Sequence, residues 1–483
     1  MMTQQDLEKY LWGAATTLRG TIDAGDYKQY IFPLMFFKRI SDVYDEEFES
    51  AMAESDGDLE YAAFAENHHF QVPEGAHWND VRETAVNIGL ALQNAMRAIE
   101  KANPDTLEGI FGDASWTNKD RLSDAMLTNL IEHYSEHKLN LKNVPDDKLG
   151  NAYEYLIKEF ADDSGHTAAE FYTNRTVVKL MTMIMDPQPG ESVYDPTCGS
   201  GGLLLNCALH LKDEGKEYRT LKLYGQEINL LTSAIARMNM FMHGIEEFDI
   251  VRGNTLSNPG LLENDELKKF NVILANPPYS ISSWDKGSFE SDPYGRNIWG
   301  TPPQGCADYA FQQHIQKSLD LGNGRSISLW PHGILFRDSE VGMRRKMIEQ
   351  DLVECVIGLG PNLFYNSSMV SCLLITRNNK PASRKGKTLF IQAVNEVRKE
   401  STMSYLSDTH IAKIFNAYQS FEEVEGFCSI KSSDDILSDT YARLSVDLHI
   451  SKNKSIENSM LNESYSDWVC STSQLTASMK SLL

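Results

Sequence analysis

Asn276, Pro277, Pro278 and Tyr279 follow the apolar run 272–275 in "FNVILANPPYS". An amide, two prolines and a phenol supply more than a stop signal, because one proline already ends a strand ladder. The chemistry they suit is holding an amino group. Conjugated to an aromatic ring, such a group is a poor nucleophile, its lone pair being delocalised. Two acceptors that take its two N–H bonds turn it toward sp³ and aim the lone pair at an electrophilic methyl. The side-chain oxygen of Asn276 and the carbonyl of Pro277 are the candidate acceptors, and Pro277 and Pro278 restrict φ and hold them in place. Tyr279 offers a flat face on which an extruded base stacks. Positioning, rather than acid–base strength, then carries the rate.

The electrophile needs its own holder. "VYDPTCGSGGLLLNCALHL" places Asp195 at a strand end, then Thr197, Gly199, Ser200, Gly201 and Gly202, then a helix. Glycines let backbone approach a ligand closely, and the helix start offers free N–H groups. Glu227 closes the next strand, 25 residues beyond Gly202, where a carboxylate accepts both hydroxyls of a ribose. Asn254 closes the third strand in "RGNTL", suitably placed for an adenine edge. A dinucleotide loop wants GxGxxG, whereas this one is G-S-G-G preceded by D-P-T-C. An acid four residues before the first glycine suits a ligand with an amino group and no pyrophosphate. S-adenosylmethionine is such a ligand. A glycine loop alone reads equally as a tight turn, and Cys198 as a small filler within it. Asn-Pro-Pro-Tyr about 80 residues after such a loop is far more specific than either part.

Two kinds of element must position these residues. Residues 1–165 show apolar residues at three- and four-residue steps, as in "YIFPLMFFKRISDVYDEEF" and "KLGNAYEYLIKEFADD", and predict helices. From about 170 the rhythm becomes strand, helix, strand. Strands are expected at 192–196, 222–228, 248–254, 271–276, 326–331, 353–359 and 371–377, with helices at 229–244 and 308–324. Near-continuous apolar strands alternating with helices mean a parallel sheet. The expected fold is α/β: a Rossmann-like, doubly wound, mostly parallel seven-stranded sheet preceded by an all-helical N-terminal domain. Domains are expected at 1–165 (helical), 166–400 (sheet, holding the cofactor) and 401–483 (a helical tail for subunit contacts). Ligands of open parallel sheets lie beyond the carboxyl ends of the strands at the switch point.

Bulk properties narrow the setting. The 483 residues suit two or three domains. The start "MMTQQDLEKY" is polar and no run is long enough to cross a bilayer, so neither a leader nor a membrane role is expected. Seven scattered cysteines without a CxxC pair fit free thiols in a reducing cytoplasm and no metal site. His68 and His69 lack further ligands at metal spacing and read as a surface pair. The net charge of −23 argues against unaided DNA binding, which draws on a basic face. Segment 45–60 alone holds eight acids and no base.

The chain resembles the amino-methyltransferases of DNA, specifically the modification (M) subunits of type I restriction–modification systems. The resemblance rests on "EFYTNRTVVKLM" (170–181), "DPTCGSGG" (195–202), "GQEIN" (225–229), "GNTL" (253–256), "NPPYS" (276–280), "ADYAFQQH" (307–314), "PHGILFR" (331–337) and "VIGLGPNLFYNSSM" (356–369), and covers roughly residues 8–450. It implies that Glu170, Phe171, Tyr172, Thr173, Asn174 and Arg175 line the methionine side of S-adenosylmethionine, with Ser200, Gly201 and Gly202 closing over it. Asp195 and Glu227 would take its amino and ribose groups, and Asn276 to Tyr279 the target adenine in double-stranded DNA. Asn174 departs from the pattern, since the family more often has Pro there.

The resemblance also implies partners: a specificity (S) subunit that reads the DNA, commonly bound by two M subunits, and a restriction (R) subunit that cleaves. The acidic balance agrees with this division, as residues 379–483 carry 12 Lys/Arg against 13 Asp/Glu and offer no basic patch. Trp284, Lys286, Phe289, Tyr294, Arg296 and Trp299 in loop 283–305 suggest a segment that orders around DNA. Two other acceptors of the methyl group pose the same lone-pair problem: a protein glutamine (N5) and cytosine (N4).

Overall fold

A computed structural model describes residues 2–18, 22–163, 173–363, 369–400 and 403–450. Five long helices make up the first part: α1 (Gln4–Thr17), α2 (Lys28–Glu54), α3 (Ile88–Ala102), α4 (Asp124–Ser135) and α5 (Asp146–Asp163). The 27-residue α2 is their spine; it is buried on every side from Tyr30 to Val43. Its polar residues there are paired. Lys38 bonds Asp42 one turn on, and Arg39 bonds the Val144 carbonyl at 2.8 Å and Asp146 at 2.7 Å. Helices this apolar all round need partners on all sides, and one comes from outside. Ile235, Met238 and Met242 of α8 (Leu230–Met242) belong to the same core as Phe32, Phe36 and Tyr153. The helical part is therefore built onto the α/β part through α8. His68 corrects the expectation of a surface pair: its ring is buried, stacked on Tyr44 at 3.9 Å, while His69 is exposed.

Among the described residues the main sheet of the α/β part has nine strands: β1 (Ser192–Asp195), β2 (Lys222–Glu227), β3 (Phe248–Arg252), β4 (Val272–Ala275), β5 (Arg325–Pro331), β6 (Val353–Leu359), β7 (Ser371–Arg377), β8 (Lys387–Ala393) and β9 (Cys428–Ser432). Their order is β9-β8-β6-β7-β5-β4-β1-β2-β3. Only β7 and β9 run antiparallel to their neighbours. The first seven strands match the seven expected. The sheet is nevertheless larger, which corrects the strand count. β8 is the run "TLFIQAV", buried beside β6, and β9 is the polar edge segment "CSIKS". A polar edge strand has one partner and little apolar alternation, so its sequence carries no strand signal. It is reached through α11 (Asp408–Ser420), whose Ile411 and Ile414 pack into the sheet's core. Residues 403–450 thus add a strand and three helices, α11 and the short Ser433–Ser438 and Val446–His449, to the layered unit.

Four further helices flank the sheet: α6 (Arg175–Met185), α7 (Gly202–Asp213), α9 (Asp308–Ser318) and α10 (Val341–Glu349). β1 and β4 are neighbours, and the chain winds outward from them in opposite directions. That makes the β1/β4 gap the switch point. Asp195 ends one of these strands and Asn276 follows the other. No helix among the described residues is long and apolar enough to cross a membrane.

Candidate active site

At the end of β1 the backbone turns through Gly199 (φ 54°) and Gly201 (φ 79°), left-handed conformations that other residues rarely adopt. The Gly201 N–H donates to the Cys198 carbonyl at 2.8 Å and closes the turn, and the Cys198 N–H ties it to Gln226 of β2 at 3.0 Å. Cys198 is buried with its thiol pushed up by burial. A β-carbon on Gly225 would meet its sulfur at 3.0 Å, so it is the filler expected.

Asp195 is 1% exposed and accepts the Thr197 N–H at 2.9 Å. Burial, reinforced by the charge of Glu227, raises its carboxyl to about 7. Glu227 in turn accepts the N–H groups of Gly199 (3.1 Å) and Asn229 (2.9 Å), one on each oxygen. Ile228, the next residue, is 61% exposed.

Asn276 is fixed at both ends of its amide. Its nitrogen donates to the Thr173 hydroxyl at 3.0 Å, and its oxygen accepts the Tyr279 hydroxyl at 2.5 Å. Tyr279 therefore does something the sequence did not suggest: its hydroxyl orients the asparagine, while its ring bridges the cores on the two faces of the sheet. Behind it the chain is buttressed. Ser280 takes a φ of 52°, and its N–H donates to Asp308 at 2.8 Å. Arg337 bonds Asp308 at 2.8 Å and Glu340 at 3.1 Å, both carboxylates fully buried, and reaches the Ser280 hydroxyl at 3.3 Å. Asp308, Arg337 and Glu340 were not foreseen as site residues. "ADYAFQQH" and "PHGILFR" marked where two of them lie but not what they hold.

Thr173, Arg175, Asp195, Thr197, Gly199, Ser200, Gly202 and Asn276 line one cleft. The glycine loop and the asparagine tip thus face a common space. Other predicted residues fall outside it. Gly201, which shapes the turn, and Pro277, Pro278 and Tyr279 are not among the residues that line it. Asn174 is turned away: its oxygen caps α6 through the Thr176 N–H (3.0 Å), and its nitrogen donates to the carbonyls of Leu363 (3.2 Å) and Ser404 (2.8 Å). Its side chain is a staple and leaves no group for a ligand. Asn254 is exposed at the end of β3, its oxygen accepting the N–H groups of Leu256 (2.9 Å) and Ser257 (3.2 Å). Glu170, Phe171 and Tyr172 lie outside the described residues.

Loop 283–305 also differs from expectation. Phe289 and Trp299 are each 2% exposed, and Arg296 is buried against Asp292 (2.5 Å) and the carbonyls of Thr255 (2.8 Å) and Leu256 (2.7 Å). Long loops without regular strands can fold on their own aromatics. Here that folding removes half of the residues expected at DNA.

Residues 144–458 match the family model described as N-6 DNA methylase, and residues 7–134 match the HsdM N-terminal domain. The MjaVIII type I restriction enzyme methylase subunit of Methanocaldococcus jannaschii is 30% identical, over 92% of this chain and 78% of its own length. The MpnII methylase subunit of Mycoplasma pneumoniae is 28% identical, over 90% and 87%. The crystal structure of a type I restriction–modification methyltransferase subunit from Streptococcus thermophilus superposes with a TM-score of 0.80 at 29% identity, covering 93% of this chain and all of that one. With most of its length matched, the chain belongs to the N-6 DNA methylase family and shares the helical-plus-α/β build of type I restriction enzyme methylase subunits.

Proposed function

We propose that this chain transfers a methyl group from S-adenosylmethionine to N6 of a flipped-out adenine in double-stranded DNA, as the modification subunit of a type I assembly. The single observation carrying this reading is the shared cleft, with Asn276 on one wall and Asp195 to Gly202 on the other.

The residues present fit the cofactor. Among the described residues no cation pairs with the buried Asp195 carboxyl, raised to about 7, and an α-ammonium would supply one. The buried Thr197 hydroxyl has no hydrogen-bond partner among the described residues. The Glu227 carboxylate at the end of β2 suits vicinal ribose hydroxyls, and Ile228 offers apolar cover for an adenine ring. Bound there, S-adenosylmethionine supplies an electrophilic methyl on a sulfonium. The chain's own task is on the other side: the Asn276 oxygen, one lone pair already taken by Tyr279, accepts one N–H of the target amine, and the Pro277 carbonyl accepts the second. Drawing both hydrogens away localises the nitrogen lone pair. The rate gain comes from orientation and desolvation.

A target-reading specificity subunit, a restriction subunit and a second copy of this chain complete the proposed assembly. An acidic subunit needs such help to hold DNA. Residues 1–165 and 401–483 are assigned to subunit contacts, and 166–400 to the chemistry. The six cysteines among the described residues are free and buried, as suits a reducing cytoplasm. Co-expression with its specificity subunit, followed by mapping of modified bases in host DNA, tests the reading. N6-methyladenine at one recurring sequence is expected, and its loss on Asn276→Ala. Methylation of cytosine instead, or of a protein glutamine only, would overturn it.

A further inference from the structure

The cofactor loop is held from outside the α/β part. We infer that Glu154, on the last helix of the helical part, is a positioning residue for the loop, acting through Arg175 and Asn239. This rests on the cofactor assignment above.

One Glu154 oxygen accepts the Asn239 side-chain N–H at 2.7 Å. The same nitrogen donates at 3.0 Å to the carbonyl of Ser200, inside the glycine turn. Both amide hydrogens of Asn239 are thus committed, one to the helical part and one to the loop. Asn239 is fully buried, so water cannot substitute for either acceptor. The other Glu154 oxygen pairs with the Arg175 guanidinium. Arg175 lines the cleft and lies so close over Gly202 that a β-carbon there would meet its Nη1 at 1.9 Å. Ser200 and Gly202, two positions apart, are therefore set by one carboxylate that does not itself line the cleft. A charged acceptor shared between two donors orients both, and its loss frees both. Cofactor affinity should accordingly depend on a residue of α5, a helix outside the sheet.

An ordinary seam contact would behave differently, and the neighbouring residue provides the comparison. Tyr153 joins the same two helices, its hydroxyl donating to the Ile235 carbonyl at 3.2 Å, without touching the loop. Calorimetric titration of the full-length chain with S-adenosylmethionine, alongside each variant's melting temperature, separates the cases. Glu154→Ala and Asn239→Ala should each weaken the Kd by about tenfold or more. The double variant should be little worse than Glu154→Ala alone, because Asn239 is one of the two groups through which Glu154 acts. Glu154→Gln keeps an acceptor for Asn239 and should fall between, and it carries the comparison if Glu154→Ala does not fold. Tyr153→Phe should bind within about twofold of the unaltered chain. Unchanged affinity in both Glu154 variants, or an equal loss in Tyr153→Phe, overturns the inference while leaving the cofactor assignment standing. No binding by the unaltered chain overturns the cofactor assignment and this inference together.

Discussion

The Tyr279 hydroxyl donates to the side-chain oxygen of Asn276 at 2.5 Å, which sets the orientation of the amide expected to hold the methyl acceptor. With Thr173 on the nitrogen side, the amide cannot turn over without losing both bonds. Tyr279→Phe keeps the ring and removes only the donor. It should lower kcat by about tenfold, the scale of one hydrogen bond, with cofactor affinity unchanged. Asn276→Ala should cost at least about a hundredfold in kcat, again at unchanged cofactor affinity. Single-turnover methylation with parallel cofactor titration measures both. Full activity in the Phe variant would leave the hydroxyl without a part in the reaction.

Gly202 tests the opposite wall. The β-carbon of Gly202→Ala would fall 1.9 Å from the Arg175 guanidinium, which must then leave its place beside Glu154. Cofactor affinity should drop by about tenfold or more, while methyl transfer at saturating cofactor is largely kept. An effect on kcat alone would move the glycine loop away from cofactor binding.

Asp195 predicts a pH dependence. Its folded-state value, about 7, lies above the model-compound value of 3.8, so the folded chain holds this proton more tightly than the unfolded one. Its contribution to stability is full at low pH and is lost as pH rises from about 4 to 7. A cofactor ammonium prefers the ionised form, so affinity should move the other way. It should weaken by up to about tenfold per pH unit below 7 and level off above it. Asp195→Asn should bind weakly at every pH and abolish that slope. A flat profile in the unaltered chain would remove Asp195 from the amino end of the ligand.

Arg337 is the only cation bonded to the buried carboxylates Asp308 and Glu340 among the contacts of the described residues. Arg337→Ala leaves two buried acids uncompensated and should cost about 3–5 kcal/mol of stability. Arg337→Lys should recover part of this but lose the reach to Ser280. Its kcat should therefore fall further than its stability does. Denaturant melts beside kinetics read the two effects. A small stability change in the Ala variant would mean the acids are protonated or hydrated in the folded chain.

Much of the site was legible in the chain itself because its signals are local. A G-S-G-G turn after a strand needs left-handed backbone, and Gly199 and Gly201 adopt it. Two prolines after an apolar run end a strand wherever they stand. Alternating apolar runs and helical periods located the first seven strands, since burial on both faces leaves that pattern in each segment. The polar edge strand β9 has one neighbour and little apolar sequence, so it left no such pattern.

What only the tertiary structure decided are the partners. Asn174 was read as a ligand-side residue, yet its nitrogen bonds the Ser404 carbonyl, 230 positions away. Arg296 was read as a cation for DNA, yet it folds its own loop onto the carbonyls of Thr255 and Leu256. The Tyr279–Asn276 bond is local in sequence, but Asp308, Arg337 and Glu154 reach the site from other layers of the fold. Sequence by itself determined which backbone turns form and which residue types stand at the strand ends, because those depend on neighbours along the chain. Which side chains remain available to a ligand was decided by packing. A buried polar group must find a partner, and that partner comes from whichever layer lies against it.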